Sequence, residues 1–158
     1  GAEINEIPAD LFRMGRHAAV RVSHWRTSGE TAEFAAEHDG YKRLDKAVGH
    51  RRCVQYLADT RAWKVRDDLA GDGEHTAEWN WYFARDDGID VTADGNALQV
   101  VGDGFSMVME LGPFRSLDYE CQKSERALAY GVLAPCLHLR VSVGWSREIC
   151  GMTQLRVE

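Results

Sequence analysis

The sequence lacks the features of a membrane protein, a secretory precursor and a nucleic-acid-binding protein. No apolar run approaches the ~18 residues that a membrane-spanning helix needs, and the acidic first ten residues do not resemble a signal peptide. The formal net charge of −6 argues against general nucleic-acid binding, which depends on basic groups that neutralise phosphates. We therefore expect no membrane span and no nucleic-acid partner, and an export signal, if the protein has one, would lie upstream of Gly1.

Cysteine patterns of metal-bound or disulfide-bonded domains are also absent. The four cysteines show neither C-x-x-C spacing nor a paired histidine pattern, which argues against a zinc site. A domain of 158 residues buries about 70% of its unfolded surface, so its core does not depend on disulfides. The cysteines predicted to be buried free thiols are Cys53, Cys121, Cys136 and Cys150.

The short motifs of common enzyme families are missing as well. There is no glycine-rich phosphate loop that opens a helix, no H-E-x-x-H and no G-x-S-x-G, and we expect no cofactor. The six histidines are spread singly, so only the fold could assemble two of them into an acid–base pair. His38, beside Asp39 and Tyr41 on a predicted turn, is the best candidate for a binding residue, because loops at strand ends display such groups.

The strongest pattern that is present covers residues 63–84. Apolar and polar side chains alternate on both sides of residues 71–73 (GDG), which predicts a β-hairpin with a glycine turn. The second half places Trp79, Trp81 and Phe83 on one face. Each such aromatic buries ~150–250 Å², worth roughly 4–6 kcal/mol, so a second apolar layer must cover this face.

Regular turns containing glycine separate short alternating runs along most of the chain, which predicts an all-β fold: an antiparallel β-sandwich of about ten or eleven strands. Residues 123–129 alone have helical character, and their shortness favours a loop or a single turn. We expect residues 1–12 to be a linker or tail and residues 13–158 to form a single domain. The predicted core consists of Phe34, Val54, Tyr56, Val65, Trp79, Trp81, Phe83, Met107, Leu139 and Val141.

Residues 13–26 form the one sizeable basic block of this acidic chain. The block contains four arginines and two histidines without an acidic residue, and Arg21 alternates with Val20 and Val22 on a predicted strand. A solvated strand face and a local site for acidic ligands both explain the pattern. The arginines of the block are Arg13, Arg16, Arg21 and Arg26.

Several segments in this order resemble the C-terminal β-rich part of the heparinase II/III-like proteins. The similar segments are residues 12–16 (FRMGR), 36–41 (AEHDGY), 50–52 (HRR), 63–67 (WKVRD), 71–75 (GDGEH) with the aromatic strand that follows, and 130–131 (YG). The resemblance implies a polysaccharide lyase with a helical toroid followed by β-sandwich regions, and a periplasmic or secreted protein. Such enzymes cleave uronic-acid glycans by β-elimination: a tyrosine or histidine base removes the proton beside the uronate carboxylate, and neighbouring groups neutralise that carboxylate.

The chain departs from that family in what it lacks. It has no helical toroid, and the histidine-bearing segments that usually precede the FRMGR-like run are absent. We therefore assign no catalytic and no metal residue, and expect the toroid and an acidic polysaccharide as partners of the parent protein. The residues expected to contact the glycan are Arg16, Arg21, His38 and Tyr41.

Three functions from different classes remain open. The chain could be a scaffold domain of a lyase, a self-standing carbohydrate-binding module, or an interaction sandwich without a sugar ligand. A binding module would need Trp25, Trp79 or Trp81 exposed for stacking on sugar rings, although the alternation predicts that Trp79 and Trp81 are core residues. An uncovered apolar patch near residues 1–26 would favour the lyase domain.

Overall fold

The computed structural model describes residues 4–5, 15, 17–84, 88–112 and 116–157. Nine strands account for nearly all of this part, together with one turn of 3-10 helix at Gly40–Arg43, which we call the Gly40 turn. The all-β antiparallel class is confirmed, with nine strands in the described residues where ten or eleven were predicted. The strands are β1 (Val20–Ser28), β2 (Thr31–His38), β3 (Gly49–Leu57), β4 (Ala62–Phe83), β5 (Asp90–Asp94), β6 (Ala97–Gly102), β7 (Phe105–Gly112), β8 (Ser116–Ala129) and β9 (Val132–Val157).

All nine strands belong to one hydrogen-bonded sheet. The order is β1-β2-β3-β4-β9-β7-β6-β5, and β8 pairs with β9 outside this path. β4 pairs with β9 along almost the whole length of both strands. β7 and β8 therefore share the other edge of β9, where β8 takes the N-terminal half and β7 takes the C-terminal half.

The predicted hairpin at residues 71–73 is wrong. β4 runs without a turn from Ala62 to Phe83, and both of its halves pair with β9 rather than with each other. The register shifts between Gly71 and Glu74, where Gly73 adopts a φ of 92° that glycine tolerates. The glycine segment is therefore a β-bulge, and a bulged strand shows the same alternation on both sides as a hairpin does.

The sheet folds over so that its two halves face each other. Phe83 and Phe105 stack with ring centroids 5.5 Å apart, yet their register partners on β9, Leu137 and Val157, are twenty residues apart in sequence. A straight strand would separate those partners by about 66 Å. The bend in the long strands thus supplies the two apolar layers of the predicted sandwich from a single sheet.

The core lies between these two layers. Its largest fully buried side chains come from β6, β7 and β9 and surround Trp79 of β4. The aromatic face of β4 is confirmed, since Trp79 is 6% exposed. Of the predicted core residues, Trp79, Met107, Leu139 and Val141 are buried, and the partly buried ones are Phe34, Val54, Tyr56, Val65, Trp81 and Phe83.

Residues 123–129, predicted as a loop or single turn, are instead the second half of β8. Within the described part of the chain, β8 pairs only with β9, and most of its side chains are exposed on both faces. An edge strand without a buried face has no period-two pattern to read, which explains the error. No helix in the described residues is long and apolar enough to cross a membrane.

Candidate functional site

A cleft of about 680 Å³ opens where the end of β2 and the start of β3 meet the middle of β4. The pairing places His38 opposite His50, and His50 opposite Leu69, so these three strands contribute to the same wall. The segment between β2 and β3 begins with the Gly40 turn, which adds Lys42 to the rim. Arg21 of β1 lines the cleft from the neighbouring strand.

A histidine–aspartate network, which we define as His38, His50 and Asp67 with Arg52 and Trp79, lies behind this wall. The Asp67 side chain is only 3% exposed. Its Oδ1 accepts hydrogen bonds from His50 Nε2 at 2.8 Å and Arg52 Nε at 2.6 Å. Its Oδ2 accepts from Arg52 Nη2 at 2.9 Å and from Trp79 Nε1 at 3.0 Å. The carboxylate is thus fully satisfied and ties β3 to both halves of β4.

The hydrogen bonds fix the tautomer of both histidines. Gly40 N–H donates to His38 Nδ1 at 3.2 Å, so the proton of neutral His38 is on Nε2. That Nε2 lies 3.0 Å from His50 Nδ1, which must therefore accept. The proton of His50 is then on Nε2, where it is donated to Asp67. One buried carboxylate thus orients two imidazole rings and, through them, the backbone of Gly40.

The electrostatics of the network favour a charged Asp67 and a neutral His38. Burial alone would raise the pKa of Asp67, but the hydrogen bonds from His50 and Arg52 outweigh it, and the pKa falls to about 2. Burial, followed by the nearby His50 and Arg52, lowers the pKa of His38 against the opposing effect of Asp39. Both shifts stabilise the hydrogen-bonded arrangement at neutral pH.

Of the four residues predicted to contact a glycan, Arg21 and His38 line the cleft, and Tyr41 packs beside His38. Arg21 is exposed on β1 and its Nε donates to Glu37 Oε1 at 2.7 Å. The ring centroid of Tyr41 lies 5.1 Å from that of His38 in an edge-to-face contact and 6.3 Å from that of His50. Arg16, like Arg13, lies outside the described residues, and Arg26 lies farther along β1, opposite Glu33 in the strand register.

The cleft is balanced in charge rather than basic. Arg66 Nε lies 2.8 Å from Asp68 Oδ1, and Arg51 Nη1 lies 3.5 Å from Asp68 Oδ2. Because these arginines and Arg21 are already in ion pairs, an acidic ligand would have to exchange partners with protein carboxylates. The basic residues that line the cleft are Arg21, Lys42, Arg51 and Arg66, and the acidic residues that line it are Glu37, Asp39, Asp68 and Glu148.

The histidine–aspartate network has a structural role, because its histidines present no free nitrogen for proton transfer. Both ring nitrogens of His38 and both of His50 are occupied by partners within the protein. A general base needs a nitrogen within hydrogen-bond reach of the substrate, which neither ring presents here. The described residues contain no cluster of three or more histidine, cysteine or acidic side chains that could hold a metal ion. The four cysteines are free thiols, but the predicted burial is correct for Cys136 alone, because Cys53 and Cys150 are partly exposed and Cys121 is exposed.

Asp67, His50, Arg52 and Trp79 were not singled out from the sequence as site residues. The sequence did contain a signal, because Asp67 shares the apolar face of β4 with Trp63, Val65 and Leu69. A carboxylate on an apolar strand face needs a buried partner, and only the pairing of β3 with β4 shows which residues supply it.

A second surface of the described residues carries exposed apolar side chains. The pairing places Val22, Trp25 and Trp63 on one face of β1–β4, the same face that is covered by the core farther along the sheet. Trp25 is 72% exposed and Val22 is 55% exposed, with Val20 at 68% beside them. We call this surface, with Val20, Val22, Trp25 and Trp63, the β1–β4 apolar face.

Comparison with known proteins supplies the family context of these features. The family described as heparinase II/III-like, C-terminal, matches residues 7–138. No curated protein matches the chain. Solved structures do match. The crystal structure of a heparan sulfate lyase, HepC, from Pedobacter heparinus is 11% identical in sequence and superposes with a TM-score of 0.66. The match covers 88% of this chain and 22% of the HepC chain. A heparinase III structure is 16% identical with a TM-score of 0.64, over 88% and 21%. These likenesses show the fold, and the chain spans about a fifth of the length of those structures.

Proposed function

The chain belongs to the heparinase II/III-like family as its C-terminal domain, and we propose that it serves a polysaccharide lyase as the β-sandwich scaffold and one wall of the substrate cleft. In this proposal the parent protein cleaves uronic-acid-containing glycans by β-elimination. The chain itself contributes binding groups and a docking surface, and it does not catalyse the elimination alone.

The observation that carries the proposal is the β1–β4 apolar face. Trp25 at 72% exposure and Val20 at 68% would be costly to leave in water, since burying a large apolar side chain is worth roughly 1.5–3 kcal/mol. The solved lyases that share this fold are about five times longer than the matched region. We therefore assign the face to contact with another part of the parent protein.

The cleft supplies the substrate wall in this proposal. Arg21 and Lys42 provide cations at the rim, and arginine suits carboxylate and sulfate groups because its planar fork binds both oxygens. The net charge of −6 would repel an acidic glycan at long range, so attraction must act within about a Debye length of ~8–10 Å. His38 and Tyr41 complete the proposed contact set, and Arg16 joins it from the segment before β1.

The test of catalysis compares the purified chain with the full-length parent. Both are incubated with heparan sulfate, alginate and hyaluronan, and the absorbance of the unsaturated uronate product is followed. We expect turnover by the parent and none by the chain alone, because elimination needs a base, a carboxylate-neutralising group and an enclosed cleft held to within about an ångström. Turnover by the chain at ordinary enzyme rates would refute this part of the proposal.

The test of docking uses Trp25→Asp in both proteins. In the isolated chain Trp25 already faces water, so we expect the unfolding free energy to change by less than about 1 kcal/mol. In the parent the same change should destabilise the protein by several times more, because a charge enters a buried contact. Val101→Asp, at a 51% exposed position of β6, is the matched control. Equal effects of Trp25→Asp in the two proteins would mean that nothing covers the face.

The test of the cleft uses charge reversal in the parent. Arg16→Glu and Arg21→Glu should raise KM for an acidic glycan and flatten its dependence on salt. Thermal stability should stay nearly constant in Arg21→Glu, because the exposed ion pair of Arg21 with Glu37 contributes little. Arg26→Glu, an exposed position on the same strand away from the cleft, is the control. An unchanged KM would assign Arg16 and Arg21 to other roles.

A carbohydrate-binding module is the alternative. Of the three tryptophans considered for stacking, Trp79 is buried and Trp81 is partly buried, so only Trp25 is exposed. Trp25 also makes an edge-to-face contact with Phe34, with centroids 5.7 Å apart. If the isolated chain binds a glycan and Trp25→Ala abolishes that binding while Arg21→Glu does not, the binding module replaces the scaffold as the better account.

A further inference from the structure

The Gly40 turn depends on the histidine–aspartate network for one of its hydrogen bonds. Gly40 N–H, the first amide of the turn, is held by His38 Nδ1 rather than by a capping side chain of the residue before it. Gly40 is buried, and a Cβ there would collide with the backbone carbonyl of Ile4. The turn therefore sits in one tight position, and the ring of His38 is part of what defines that position.

The Gly40 turn also places side chains at the cleft. It carries Tyr41, whose ring contacts both histidines, and Lys42, which lines the cleft. The carbonyl of Tyr41 accepts hydrogen bonds from Leu44 N–H at 3.2 Å and Val48 N–H at 3.3 Å, which link the turn to the start of β3. A shift of Gly40 would therefore move the cleft rim and not just one amide.

We propose that Asp67 and His50 are positioning residues that act through His38 to hold the Gly40 turn, with Tyr41 and Lys42, at the wall of the cleft, and that a proton on His38 releases the turn. The chain of hydrogen bonds leaves a second proton on His38 no site but Nδ1, which faces the N–H of Gly40. Two donors would then face each other, and that hydrogen bond would break. The consequence for glycan binding rests on the function proposed above.

The groups around His38 shift its pKa in opposite directions. Asp39, next in sequence, favours the protonated ring, whereas burial, His50 and Arg52 oppose it and lower the pKa of His38. The release is therefore expected on the acidic side of neutrality, below the ordinary histidine range. The titratable and charged groups that surround His38 are Arg21 from β1, Glu37 and Asp39 from the end of β2, Tyr41 and Lys42 from the Gly40 turn, His50, Arg51 and Arg52 from β3, and Arg66, Asp67 and Asp68 from β4.

The first experiment measures imidazole ¹⁵N shifts of the 158-residue chain by NMR at neutral pH. We expect both His38 and His50 as neutral rings protonated on Nε2. His24, a partly exposed histidine of β1 outside the network, serves as the internal reference. A neutral His38 protonated on Nδ1 would overturn the proposal, because that tautomer cannot accept from Gly40.

The second experiment follows hydrogen exchange of the Gly40 amide as His38 titrates. After correction for intrinsic rates, protection should fall at least about tenfold through the titration of His38. His38→Gln keeps a neutral donor and acceptor at this position, so it should retain protection and remove its pH dependence; His24→Gln should leave both unchanged. Asp67→Asn should lower Gly40 protection already at neutral pH. Constant protection through the titration of His38 would overturn the proposal.

A binding measurement separates this inference from the proposed function. In the parent protein, affinity for heparan sulfate should fall several-fold at the pH where Gly40 loses protection, and His38→Gln should abolish that fall. If the Gly40 amide loses protection as His38 titrates but no acidic glycan binds at any pH, the proposed function is wrong and the positioning role of Asp67 and His50 is supported. If glycan binds with a pH dependence that His38→Gln leaves unchanged, glycan binding at the cleft is still supported, and the proposed link between His38 and the Gly40 turn is wrong.

Discussion

Replacing Asp67 with asparagine should destabilise the fold far more than the same change at Asp68, its neighbour on β4. The introduced amide has one oxygen where the carboxylate had two, so its NH₂ group faces donors in either orientation. An unsatisfied buried group costs about 1–3 kcal/mol, and an uncompensated buried charge costs about 3–5 kcal/mol. The Arg52 side chain is 50% exposed, so water recovers part of that cost. We expect a loss of about 2–4 kcal/mol.

The pH dependence of stability gives a second estimate of the same interaction. The pKa of Asp67 falls from an ordinary 3.8 to about 2 in the folded protein. Because the folded pKa is the lower one, this contribution is fully present above the ordinary value and is lost as the pH falls through the folded value. The shift corresponds to about 2 kcal/mol. Stability should therefore decline between about pH 4 and pH 2 in the native chain, and less so in Asp67→Asn.

Urea unfolding of the two variants at neutral pH measures the difference. Asp68 is 31% exposed and pairs with the half-exposed Arg51 and Arg66, so Asp68→Asn should cost about 0–1 kcal/mol. A domain of this size is stable by about 5–15 kcal/mol, so the Asp67 effect would be a large fraction of the total. Equal losses for the two variants, or an acid transition that Asp67→Asn leaves unaltered, would refute the role assigned to the network.

Two further predictions concern the fold and the thiols. Gly151→Ala places a methyl group against the Trp79 ring, 2.7 Å from its nearest atom, and should cost about 1–3 kcal/mol in thermal unfolding; Gly112→Ala has open space and should cost much less. Cys121 is exposed and Cys136 is fully buried, so a thiol reagent should modify the native chain at Cys121 at least about tenfold faster. Similar costs for the two glycines would contradict the folded-over sheet, and fast labelling of Cys136 would contradict its burial.

Local pattern was enough to predict the fold class and much of the core. Period-two alternation depends only on which side chains a strand presents to each face, so the apolar face that contains Trp79 and the strands between the glycine turns were predictable from the residues alone. The same locality explains the failures. A bulge at residues 71–73 and a hairpin turn have the same local pattern, and the exposed second half of β8 has no pattern to detect.

The candidate site was predictable in part. His38, Tyr41 and Arg21 could be selected because they lie near a predicted turn or in a basic segment. The structure brings Arg21 and His38 to one cleft, with Tyr41 packed beside His38. The charge balance of that cleft could not be predicted, since the pairing of Arg21 with Glu37 depends on the register between two strands. The sequence alone suggested a basic block, and the fold pairs Arg21 of that block with Glu37.

The sequence by itself determined that the chain forms an all-β antiparallel protein with buried aromatic residues, because strand propensity, alternation and turn chemistry are properties of neighbouring residues. Tertiary structure alone decided that β4 and β9 bend so that one sheet makes both layers. The contact that shows this bend joins Phe83 and Phe105, whose register partners on β9 are twenty residues apart. It also decided that Asp67, His50 and His38 form one directed chain of hydrogen bonds. The bonded pairs are 12 and 17 positions apart in sequence, and they meet only because β2, β3 and β4 pair in a single register.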